Sequence, residues 1–148
     1  MIVSSLIIAV SVVLFFYWFR YTCILILNTS SSLDFGGEFA EENGLRFAEV
    51  QARLGVSGVA ELSALHASLE RDYHVVSQVL KRASSLEFHG DSLEDLILRI
   101  DYRLMSAVFN LSRRLWQSGA RAALGEMTQI VAHLANTCGE RTTVSARA

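Results

Sequence analysis

Proline is absent from this chain of 148 residues, although average usage of roughly 5% would supply about seven. Because proline breaks helix interiors and punctuates loops, its absence argues against a loop-rich architecture and fits long helices joined by short connections. Lysine is almost missing as well: twelve of the thirteen basic residues are Arg, and Lys81 stands alone. That bias fits a GC-rich, bacterial coding sequence rather than a chemical need. Cysteine is limited to Cys23 and Cys138, which excludes a disulfide scaffold. Beyond Leu27 the chain carries 12 basic and 15 acidic residues with the signs mixed. A nucleic-acid binder needs a basic stripe to neutralise phosphates, so that class is set aside. Neither a glycine-rich phosphate loop, a Walker-type Lys nor an internal repeat occurs, and no small-molecule substrate or cofactor is indicated.

The chain has apolar residues in plenty, distributed unevenly. The overall apolar share is 51%, but Met1 to Leu27 holds 22 apolar residues and one charge, Arg20. Ile2 to Phe19 is an uncharged run of 18 residues, which as a helix reaches about 27 Å, close to the hydrocarbon thickness of a bilayer. Tyr17, Trp18 and Tyr21 surround Arg20, the composition of a helix leaving the hydrocarbon for the headgroups. We therefore assign residues 1–27 as a single transmembrane anchor, with Tyr17, Trp18, Arg20 and Tyr21 at the membrane interface. The N-terminus lacks a basic region and no small-residue cleavage site follows, so the expectation is an uncleaved anchor. No His precedes His66, which leaves this helix without a His ligand for haem or chlorophyll. Arg20 is the one positive charge flanking the span, and it predicts a bacterial inner-membrane protein with its C-terminal domain in the cytoplasm.

Residues 28–37 read as a polar linker, and 38–139 as a small all-α domain, either a helical hairpin or a three-helix bundle. Phe39, Phe47, Val50 and Leu54 predict a short amphipathic helix, secure over about 45–54 because Asn43-Gly44 can break it. Over about 58–84, Val59, Leu62, His66, Leu69, Tyr73, Val76, Leu80 and Ala83 alternate three- and four-residue steps, a coiled-coil-like seam, with Ser57 as N-cap. Over about 92–118, beginning at Asp91-Ser92, a matching seam runs through Leu93, Ile97, Ile100, Leu104, Val108, Leu111 and Leu115. Equal lengths and a short connection predict that these two helices form an antiparallel hairpin. Its packing core would contain Leu62, Leu69, Tyr73, Val76, Ile97, Leu104 and Leu111. A third segment, about 120–138, is apolar at Ala120, Ala123, Leu124, Met127, Ile130, Val131, Leu134, Ala135 and Cys138. Gly119 either separates it from the preceding helix or merely weakens one continuous helix, Gly139 should end it, and 140–148 should form a flexible tail.

Two constellations invite a chemical reading. His66, Glu70 and His74 are spaced by four and share a helical face, so they could hold a metal or serve a sensory module. They match neither the His-Glu-x-x-His pattern nor the Glu-x-x-His pair of di-iron bundles, and packed histidines account for them more simply. Asp91, Glu94 and Asp95 stand at a helix start, where the dipole favours negative charge. Without a catalytic motif, the sequence predicts a non-enzymatic single-pass membrane protein. Its helical domain would mediate self-association or docking in a larger membrane assembly, as an accessory subunit whose partners are the bilayer and either another protein or a second copy.

Overall fold

A computed structural model of the chain describes residues 1–28, 35–56, 58–86 and 93–147. Every regular element among them is an α-helix, and they separate into two units, Met1–Ser30 and Ser31–Ala148. Ser57 and Asp91, assigned above to helix starts, fall outside the described residues, as does most of the linker.

The first unit is α1 (Ile2–Asn28), a helix of 27 residues long and apolar enough to cross a membrane, with none of its most apolar stretch buried. It is apolar on every side apart from a few Ser and Thr residues and Arg20, so no single face is marked for packing. Phe15 stacks along the helix on Phe19, and Trp18 meets Tyr21 edge-on at 6.2 Å.

The second unit contains α2 (Phe35–Asn43), α3 (Phe47–Arg53), α4 (Val59–Leu86), α5 (Leu93–Leu115) and α6 (Gln117–Arg147). Helix α2 takes in the last three residues of the expected linker, where the Gly36 amide donates to Asn136 Oδ1 on α6 at 3.1 Å. It stops where Asn43-Gly44 predicted a break. Gly44 adopts φ +63°, Leu45 N–H donates to the Ala40 carbonyl and Gly44 N–H to that of Glu41. That pair of bonds satisfies carbonyls a helix end leaves open, and the left-handed backbone it needs is one that glycine takes without a Cβ clash. The chain then enters α3, whose first turn lies against α4: the Arg46 amide donates to Asp72 Oδ2 at 2.6 Å. A carboxylate at a helix N-terminus both accepts an orphan N–H and faces the positive end of the dipole.

The centre of the unit is α6, which packs against α2, α3, α4 and α5. All nine apolar positions expected of a third segment are buried, five of them being Leu124, Met127, Ile130, Val131 and Leu134 at 0% exposure. This changes the expected hairpin. The tight helical pair is α5 with α6, antiparallel because Asp95 near the start of α5 meets Arg141 near the end of α6 at 2.9 Å. Helices α4 and α5 are also antiparallel, but they meet through side chains: Tyr73 stacks on Tyr102 with centroids 3.8 Å apart, His66 on Phe109 at 4.4 Å, and Arg113 reaches Ser63. The three long helices form an up-down-up bundle in which α6 supplies the third face that a two-helix seam lacks.

Two boundaries depart from the sequence reading. The chain reverses at Trp116, between Leu115 and Gln117, and Gly119 lies in the first turn of α6. A Cβ at Gly119 would overlap the Trp116 indole as that ring is placed, with its Cδ1 2.5 Å from the added atom's position. Helix α6 also continues through Gly139 to Arg147, so most of the expected flexible tail is helical. Gly139 is buried within α6 and does not stop it.

Candidate docking surface

On α5 the sequence pattern and the structure select different faces. The buried residues are Asp95, Leu98, Asp101, Tyr102, Met105, Phe109 and Ser112. The heptad seam read from the sequence lies about 120° around the helix from that set, at 100° per residue. Of its members, Leu93 is 76% exposed, Ile100 49%, Leu111 63% and Leu115 62%, while Ile97 and Leu104 are half-buried. Leu111 therefore does not belong to the packing core. Leu62, Leu69 and Val76 on α4 do, at 0–1% exposure, and Tyr73 is a half-buried edge residue that meets Tyr102.

The more polar stripe of α5 turns inward, where Asp95 finds a partner on α6. Asp95 pairs with Arg141, and the His66–Ser106 and Tyr73–Tyr102 contacts tie the adjoining edge to α4. The exposed stripe, richer in Leu and Ile, is left as a continuous apolar surface along the full helix, extended at one end by Leu96 and at the other by Trp116 at 58% exposure.

Beside this stripe, α4 and α5 diverge to form a cleft of about 410 Å³ lined by Tyr73, His74, Ser77, Gln78, Lys81, Leu96, Arg99, Ile100 and Arg103. A smaller hollow of about 240 Å³ adjoins it, with Glu70, Tyr102 and Ser106 in its wall. The Tyr102 hydroxyl and Ser77 Oγ are buried without a hydrogen-bond partner. Burial pushes the Tyr102 phenol up, with the charge of Glu70 adding to it, so the group stays protonated and able to donate. Leu96 and Ile100 belong to both stripe and cleft, so apolar face and basic-rimmed groove are one surface. Arg99 and Arg103 of α5 line the groove together with Lys81 and His74 of α4.

His66, Glu70 and His74 do not come together as a metal site. His66 turns inward to stack on Phe109, and its Nε2 lies 3.2 Å from Ser106 Oγ, while Glu70 and His74 remain exposed. Among the described residues no group of three His, Cys, Asp or Glu side chains is placed to share a metal ion. Burial holds the His66 imidazole below its ordinary value, against an opposing effect from Glu70, so it packs as the neutral ring. Cys138 is likewise a packing residue: its thiol points at the Val76 carbonyl at 3.7 Å and is pushed up to about 12 by burial, which leaves it unreactive. On α1, Tyr17, Trp18 and Tyr21 are exposed at 66%, 63% and 52%, and Arg20 is half-buried.

The surface can therefore bind an elongated, largely apolar object with hydrogen-bonding and anionic groups along one side. No protein-family model matches this chain, and neither a curated protein nor a solved structure compared with it does.

Proposed function

We propose that this chain is a non-enzymatic, single-pass membrane protein that uses its helical domain to dock into a larger membrane assembly as an accessory subunit. The observation that carries the reading is the exposed apolar stripe of α5. A water-soluble bundle gains nothing by leaving Leu93, Ile100, Leu111 and Leu115 uncovered at 49–76% when its core is already closed by α6, and continuous apolar patches of this kind mark interaction sites. The long apolar helix α1 supports anchoring to the bilayer, and Arg20 supports a cytoplasmic domain in a bacterial inner membrane. A binding role accords with the ionisable groups at hand: His66, Asp72 and Asp95 are each engaged in structural contacts away from the open surface.

The test is the size of the native assembly. Extracted from its membrane in mild detergent, the chain should migrate in a complex larger than one copy, and Leu111→Glu with Leu115→Glu should release it while leaving the thermal unfolding of the domain within a few degrees of the parent. A chain that is monomeric at every concentration, alone in its native membrane and indifferent to these substitutions contradicts the proposal.

A further inference from the structure

We infer that the occupant of the α5 face is an amphipathic helix of a different protein, apolar along one stripe and carrying carboxylates along one flank. The inference rests on the docking reading above and specifies the partner's chemistry. Size, shape and charge each narrow the choice.

Leu93, Leu96, Ile100, Leu111, Leu115 and Trp116 are 46–76% exposed. Together they uncover on the order of 700 Å² of mostly apolar surface, above the few hundred of an ordinary monomer patch and near the ~800 Å² that one side of a standard interface buries. The stripe runs from Leu93 to Leu115, about 33 Å of straight helix, so its natural complement is another helix of about six turns.

Shape separates a protein helix from a lipid surface. At Leu96 and Ile100 the stripe descends into the α4–α5 cleft, whose walls carry Ser77, Gln78 and Arg99. A bilayer would leave those polar groups against hydrocarbon or bridge the hollow without filling it, at a desolvation cost either way. Side chains of a docked helix can enter the cleft and meet them.

Charge separates a foreign helix from a second copy. Arg103 and Arg114 are both exposed and lie eleven residues apart, three turns along the same flank of the stripe. Arg99 and Lys81 line the adjoining cleft. Of the three acidic residues on α5, Asp95 and Asp101 are buried, which leaves Glu94 as its one exposed carboxylate. A second α5 would thus bring arginines to arginines, whereas Asp or Glu on a partner helix would meet Arg103 and Arg114 in charge-assisted pairs.

The experiment places a photoactivatable benzophenone residue at Leu111 or at Ile100 of the full-length chain in its own cellular membranes, with an identical probe at the exposed Gln51 as control. The expected result is a covalent adduct with one other protein from both α5 positions and not from the control. Sequencing of the joined peptide should give an amphipathic helix with Asp or Glu along one flank. Arg103→Glu together with Arg114→Glu should lower adduct yield at least fivefold, and reversing the partner's flanking carboxylates to Lys should restore it. An adduct between two copies of this chain, or a foreign adduct indifferent to the double charge reversal, overturns this inference and leaves the docking reading standing. Lipid adducts alone, or no adduct from either position, overturn both.

Discussion

Phe109 and Leu111 stand two residues apart on α5, and replacing each with Ala should have opposite consequences. Phe109 is 1% exposed and its ring lies 4.4 Å from that of His66 with the planes 3° apart. Truncating it removes a full aromatic side chain from a closed core, for which about 3–5 kcal/mol is usual, the cavity included. In a domain of this size that corresponds to a fall in Tm on the order of 10–20 °C. Leu111 is 63% exposed, and its truncation should cost the domain less than about 0.5 kcal/mol. The assay is thermal unfolding of the full-length chain in mild detergent, followed by near-ultraviolet circular dichroism. Ring environments in the bundle report there, whereas α1 stays helical in the micelle. Assembly size, measured in parallel, should respond in the reverse order: Leu111→Ala weakens the complex while the folded Phe109→Ala fraction still forms it. Equal destabilisation by the two substitutions, or a larger effect at Leu111, would mean that α5 is rotated toward the seam legible in the sequence, and the docking surface would disappear with it.

Lowering the pH should destabilise the domain. Burial depresses both His66 and His133 below their ordinary value of 6.5, so the unfolded chain binds protons that the folded one refuses; stability is complete above about pH 6.5 and is lost as the pH falls through the lowered folded values. Unfolding midpoints measured between pH 8 and 5 should fall, and His66→Gln with His133→Gln should flatten the profile; an unchanged slope in the double variant would refute the assignment. Arg141→Ala should cost about 1–3 kcal/mol, less than a fully buried pair because Arg141 is partly exposed, since it strips Asp95, whose side chain is 4% exposed, of its partner; chemical denaturation with Arg141→Lys as a partial rescue checks this. Gly119→Ala should force the Trp116 indole off the α6 backbone, at a cost of about 0.5 kcal/mol or less because that ring is exposed. In a Trp18→Phe background its emission should shift to the red, and an unshifted spectrum would contradict the described contact.

Much of the architecture was open to reading from the residues. Helix content followed from the missing proline, the long apolar first helix from 18 uncharged residues, and the buried face of α6 from its apolar positions one by one. On α4 the reading identified Leu62, Leu69 and Val76 correctly, because only one strong stripe exists there. Helix α5 carries two, and periodicity cannot say which turns inward when the polar members of one, Asp95 above all, have a partner in Arg141, 46 residues away. The reversal at Trp116 left no local trace either, since neither Leu115, Trp116 nor Gln117 is a helix breaker; it depends on what α6 can bury by folding back. For the same reason the candidate surface was visible only as a list of core residues. Those residues do share one face of α5, and which way that face turns depends on the rotation of one helix.

The central position of α6 has a consequence for biosynthesis. Every other helix of the domain leans on a segment that is translated after it, so α4 and α5 are complete before the surface that closes them exists. The 31 residues of α6 take about 2–6 s to make at ordinary elongation rates, and until they are available the earlier helices lack the surface they pack on. Released chains truncated before Gln117 should be open to protease across α4 and α5, where the full chain is resistant. Expression would then depend on how quickly the last helix follows the others.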